Sequence, residues 1–236
     1  VSDLPPDSNI DEYEPSNEDY INRIKYDTDP KVRANAVFVL GRLNDISALP
    51  TMLTALEHDD SDEVRLQIVE ILGKFKTAAV VAPLIKALES DNTDMRAMAA
   101  MSLGLAGQPE AIPSLVNALG DEEAQVRSQV ADALGGLRAD GAVDLLVNTL
   151  VADNDSNVRY FAIQSLVTIG GKVVLETLCN RLEREENLGV IIDLIETIAK
   201  LKDASAIDYL YPFVDHDDND VSATAKWAVG VLDKLS

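Results

Sequence analysis

At 236 residues, 47% of them hydrophobic, the chain is long enough for one or two compact domains or one elongated array, and it lacks the composition of a disordered protein. Twenty Lys and Arg against 41 Asp and Glu leave a net charge of −21, which repels phosphate backbones and anionic headgroups and so excludes nucleic acid and lipid surfaces as partners. The single cysteine, Cys179, cannot form an internal disulfide, no run approaches the roughly 20 apolar residues of a membrane span, and the acidic N-terminus is unlike a basic secretory signal, so we expect a cytoplasmic protein.

In chain order, residues 1–16 (VSDLPPDSNIDEYEPS) are acidic, carry prolines and have no period, which predicts a flexible or surface-draped tail. Residues 17–28 predict a single capping helix, because Ile24 stands nine residues before Arg33 as Leu56 stands nine before Arg65. From residue 29 to 236 the chain repeats. DPKVRANAVFVLGRL from Asp29 returns as DEVRLQIVEILGKF, TDMRAMAAMSLGLA, AQVRSQVADALGGL and SNVRYFAIQSLVTI. The arginines are Arg33, Arg65, Arg96, Arg127 and Arg159, and Ile191 and Ser222 continue their register at the same spacing of 31 or 32 residues. Seven residues beyond this marker stand Leu40, Leu72, Leu103, Leu134, Leu166, Ile198 and Val229.

A second apolar series opens at Leu49, Val81, Ile112, Val143, Leu175 and Ile207. Both series have helical spacing and neither alternates as a strand would, so each period is a helical hairpin of two helices of about 12 residues. Pro50, Pro83 and Pro113 fall in the opening turn of second helices, where a missing N–H costs nothing. A lone hairpin cannot bury its apolar face, so successive hairpins must stack. The predicted fold class is all-α: an α-α superhelix of about six hairpins, with residues 220–235 forming a lone first helix at its end.

Glycine recurs eight residues after the marker, at Gly41, Gly73, Gly104, Gly135 and Gly230, with Val167 and Ala199 as exceptions. Helix-interior glycine costs about 1 kcal/mol against alanine, so its recurrence predicts close approach of neighbouring helices. The arginines follow acidic turns, and we expect each to pair with a carboxylate of its own or the adjacent hairpin. The acidic clusters between second and first helices, such as Asp59 to Glu63, predict an outward ridge suited to a partner with a basic surface.

The sequence of Asp, then Val-Arg, then Ala-Leu-Gly, as in AQVRSQVADALGGL, resembles the HEAT repeat of the short bacterial type named after phycobilisome lyases. This resemblance spans residues 29–235 and implies a protein-binding superhelix whose second helices line the concave face. It implies a scaffold or adaptor in phycobiliprotein or photosynthetic-complex biogenesis or turnover. Alternatives within the family are a bilin lyase or chaperone-like lyase subunit, and a partner of iron–sulfur assembly proteins.

The residues favour a non-enzyme without cofactor or metal. His58 and His216 lie on separate turns over 150 residues apart, and the turn DHDDND has Asp220 and Lys226 where a calcium loop needs Gly and Glu. Partner-binding candidates come instead from variable columns of the repeat. Lys86, Asn117, Asn148 and Asn180 share one second-helix column and form a polar ladder. Tyr209 and Phe213 are one turn apart in columns read as exposed, and Trp227 occupies the variable column of Phe38 and Asp132. Cys179 falls in the column of Leu53, Ile85, Val116 and Val147, which predicts a buried structural thiol.

Overall fold

The structure, a computed structural model, describes residues 14–235, and the predicted tail falls outside these residues except for its last three. Every regular element among the described residues is helical. The described chain divides into two compact units at Ile71/Leu72. The first holds α1 (Asn17–Tyr26), α2 (Pro30–Arg42), α3 (Leu49–His58) and nearly all of α4 (Asp62–Leu72). The second holds α5 (Val81–Leu88), α6 (Thr93–Ala106), α7 (Ile112–Ala118), α8 (Ala124–Gly136), α9 (Val143–Ala152), α10 (Ser156–Ile169) and α11 (Gly171–Leu182). It continues through α12 (Leu188–Leu201), α13 (Ile207–Val214) and α14 (Asn219–Leu232).

Even-numbered helices are the first helices of the repeat and odd-numbered ones the second. In the second unit α6, α8, α10, α12 and α14 pack in succession, each against the next, while α5, α9 and α13 pack on the first helix that follows them. The apolar columns read from the sequence are the core: Leu103, Leu134, Leu166 and Ile198 are fully buried, as are Leu84, Leu115, Leu146 and Leu178 of the second helices.

Five of the six second helices that follow a first helix open at the residue the apolar series names, and a short 3-10 turn precedes each of those five, as at Ile46–Ala48 and Ala204–Ala206. That turn shortens several second helices below the expected 12 residues, to 7 in α7 and 8 in α5. α11 lacks the turn and starts at Gly171, four residues before Leu175, because Gly170 and Gly171 both take positive φ and reverse the chain directly.

Five first helices, α2, α6, α10, α12 and α14, begin at side-chain caps, whereas Glu123 before α8 makes no such bond. Asp29, Asp155 and Asp218 each accept the N–H two residues ahead, and Asn92 accepts that of Met95. α1 begins with a capping box in which Ser16 Oγ accepts from the Asp19 N–H and the Asp19 carboxylate accepts from the Ser16 N–H.

Candidate functional site

The arginine column forms repeated forks (rungs). Arg33 Nε and Nη2 donate to the two Asp59 oxygens at 2.8 and 2.7 Å, while Nη1 donates to the carbonyls of Asp27 and Thr28 at 3.1 and 3.3 Å. Arg96 holds Asp121 in the same way at 2.8 and 3.0 Å, and Arg127 holds Asp153 at 2.8 and 3.0 Å. Their Nη1 atoms bind the carbonyls of the turn before their own helix. Each fork thus ties one turn to the next, which makes the predicted arginine–carboxylate pairing a stacking device. Arg65 instead turns Nη2 to Asp62 of its own helix, and Arg159 keeps the carbonyl bonds to Asp153 and Asn154 without a carboxylate in its fork.

The forks correct the reading of Asp59 to Glu63 as an outward-facing group. The Asp59 side chain is only 5% exposed, and Asp121 and Asp153 are covered to a similar degree. A helix-bound arginine reaches across 25 or 26 residues to neutralise them, so these carboxylates serve the core. Burial alone would push the Asp59, Asp121 and Asp153 carboxyls up; the arginine hydrogen bond and a backbone N–H outweigh it and hold all three below the usual carboxylate range. What remains outward and outside the forks in these turns includes Glu63, Asp91, Asp94, Glu122 and Glu123, while Asp60 is outward yet also accepts from Arg33 Nη2 at 2.7 Å.

The glycine column makes the close approach expected of it. A Cβ on Gly104 would lie 2.8 Å from Ala133 Cα, and one on Gly135 would lie 2.7 Å from Ser165 Cα. Gly73 meets Ser102 at 2.8 Å, and Gly41 meets the Ile71 side chain at 2.3 Å. The partner is in each case the residue six after the next marker. Gly230 has nothing within 4 Å.

On the second helices, Lys86, Asn117, Asn148 and Asn180 are all exposed. The three asparagine amides take part in no hydrogen bond among the described residues, so they do not ladder to one another and remain able to bond elsewhere. Asn117 stands on the wall of a groove of about 280 Å³ between α5 and α7, with Leu88 and Ala118 at its floor and Ser114, Glu89 and Asp121 around it. The same groove recurs in the first unit between α1 and α3, with a volume of about 780 Å³. There Ile24 and Ala55 replace Leu88 and Ala118, Thr51 replaces Ser114, and Thr54 stands in the asparagine column, its hydroxyl already donating to the Pro50 carbonyl. The sequence reading missed these grooves. Their signal is the small-residue column Ala55, Ala87, Ala118, each the residue directly after the polar one.

That column is also where a correction falls. Phe213 belongs to it, and it is half-buried with its ring stacked on His216 at 6.3 Å, while Ala87 is buried outright. Tyr209 and Trp227 do face outward, at 40% and 50% exposure. Trp227 lies on a first helix and Tyr209 on a second, so the structure does not gather the candidates into one site. Cys179 is 1% exposed, and burial first, then Glu183 and Asp203, push its thiol up to about 12. No cluster of His, Cys, Asp and Glu among the described residues could hold a metal ion, and no described helix is long and apolar enough to cross a membrane.

The model of HEAT repeats matches residues 18–96, 81–167, 114–193 and 143–230 in overlapping sections. The chain belongs to the HEAT-repeat family. Its α-α repeat fold is shared with the complex of CpcE and CpcF of phycocyanin lyase from Nostoc sp., at 21% identity and a TM-score of 0.60, over 100% of this chain and 99% of that one. YibA of Escherichia coli is similar at 23% identity and a TM-score of 0.57, over 90% and 82% of the two chains. An archaeal HEAT-like repeats protein from Thermococcus onnurineus is similar at 17% identity and a TM-score of 0.50, over 94% and 99%. No curated protein matches the sequence. These likenesses are of fold, and a HEAT array hosts many functions, so function rests on the side chains.

Proposed function

We propose that the chain is a non-enzymatic scaffold that holds a partner protein along the exposed faces of its second helices. The observation carrying this reading is the column Asn117, Asn148 and Asn180: three solvent-facing amides in consecutive hairpins, none satisfied from within the described residues. An amide offers a donor and an acceptor together, which suits a peptide backbone better than a charged group. The grooves beside the column supply apolar floors for side chains, and Lys86 extends the column toward α5. Carboxylates left free of the arginine forks favour a partner with a basic surface and make its association fall with salt. Replacing Asn117, Asn148 and Asn180 together by Ala is expected to weaken capture of the native partner while leaving helicity intact. Unchanged affinity sinks the proposal.

A role as subunit of a phycobilin lyase is the second reading, supported by the end-to-end likeness to the CpcE–CpcF complex. Cys179 is not its bilin carrier, because a thiol that is buried and titrates at about 12 is neither accessible nor ionised near neutrality. Co-expression with a bilin and its apoprotein decides this reading: a coloured adduct formed only when this chain is present supports it, and its absence removes it.

A further inference from the structure

The stacking contact of this repeat has two halves, and among the described residues α2 and α14 each expose a different one. One half is the glycine column, buried or half-buried at Gly41, Gly73, Gly104 and Gly135, and exposed only at Gly230 on α14. The other half is the residue six after the marker: Ile71, Ser102, Ala133, Ser165, Thr197 and Ala228 are buried, while Val39 on α2 is not. Leu43 repeats the pattern. It is 58% exposed, whereas of its counterparts Phe75, Ala106, Ile169 and Leu232 are at most 8% exposed and Leu137 and Leu201 are half-buried. Phe38, at 38%, and Trp227, at 50%, lie beside the two open halves.

We propose that these halves meet between copies, so that α2 of one chain packs on α14 of another, head to tail, with Val39 over Gly230. The pairing has a template inside the first unit, where Gly41 lies under the β-branched Ile71. With the copies aligned as neighbouring first helices of the second unit are, one turn back on both sides the register sets Lys226 of one copy opposite Asn35 of the next. Lys226, in a column that is Val37, Val69 and Ala100 elsewhere, donates to Ser222 Oγ at 3.1 Å in its own helix and gains the Asn35 amide oxygen as a second acceptor there. The second copy is favoured over an unrelated helix because both halves and this polar pair are on one chain. The contact is heterologous, so it leaves a free half at each end and extends. With −21 charges on each copy it is weak at low salt and strengthens as screening grows. It does not involve the asparagine column.

Sedimentation of the full chain at about 0.15 M salt, from about 10 µM to about 1 mM, tests the proposal. The average mass is expected to rise from the 25.5 kDa monomer through the dimer to longer species as concentration increases. Gly230→Leu fills the open half and Val39→Asp charges the other, and each variant alone is expected to stay monomeric at every concentration. Mixed, the two are expected to form dimers and nothing longer, because each keeps one intact half. Circular dichroism checks that both variants fold, and the triple asparagine variant is expected to associate as the unchanged chain does. Three results overturn the proposal: a monomer throughout, association of Gly230→Leu equal to that of the unchanged chain, or a mixture that fails to dimerise.

Discussion

Replacing Gly104 by Ala tests the close approach most directly, with Gly230→Ala as its control. Both glycines lie inside first helices eight residues after the marker, so both substitutions gain about 1 kcal/mol of helix propensity. At Gly230 the new methyl meets nothing within 4 Å, and the gain is expected in full. At Gly104 it would sit 2.8 Å from Ala133 Cα and 2.9 Å from Ala133 Cβ, backbone and a side chain without rotamers, so α6 and α8 must separate by several tenths of an ångström. That overpacking costs about 1–3 kcal/mol and also loosens the contacts around Leu103 and Leu134. The net expectation is destabilisation by about 1 kcal/mol at Gly104 against stabilisation by about 1 kcal/mol at Gly230, a gap of about 2 kcal/mol. Urea denaturation followed by far-UV circular dichroism, at a concentration where the chain is monomeric, reads this gap as opposite shifts of midpoint. Stabilisation of similar size in both variants would falsify the argument that the glycine column exists for helix contact.

Three further outcomes follow from the same geometry. Because Asp59, Asp121 and Asp153 titrate below their unfolded value, which is near 3.9, their stabilisation is present above that pH and lost as pH falls through the depressed folded values. Asp121→Asn is expected to cost about 2 kcal/mol at pH 7, since it leaves Arg96 without its carboxylate; acid titration of stability in the variant should be flatter below pH about 4, and an unchanged acid limb contradicts the fork reading. Ser165→Ala should cost about 1 kcal/mol, because its hydroxyl donates to the Ala131 carbonyl at 2.7 Å, whereas Ser102→Ala should be neutral or stabilising, because the buried Ser102 hydroxyl has no partner among the described residues. Equal losses in chemical denaturation would refute that contrast. Cys179 should react with a thiol reagent at neutral pH only as fast as the second unit opens, and rapid labelling of the folded chain would contradict its burial.

The repeat, its period, the helix starts and the core columns were legible because each recurs in the sequence, and recurrence separates a packing rule from a local accident. Leu72, Leu103 and Leu134 occupy one column and are fully buried together. The pairing of arginine with carboxylate was expected in kind, though the particular aspartates were not, since Asp59 and Asp60 are adjacent and chemically alike. Both accept from Arg33, but Asp59 alone is covered, because it takes both fork nitrogens and also accepts the Ser61 N–H.

Phe213 shows the opposite limit. Its column neighbours are alanines, whose small size hides how deeply a side chain there would sink, and only the packed structure shows the ring half-buried against His216. The three asparagines were readable as a column, but whether they bond to one another or face solvent with free amides depends on the separation of α7, α9 and α11. A one-dimensional period fixes which residues share a column, because helical geometry repeats at fixed spacing. How far apart neighbouring columns come to rest is set by the side chains wedged between the helices, so the grooves, the forks that close and the two stacking faces left open were decided only in three dimensions.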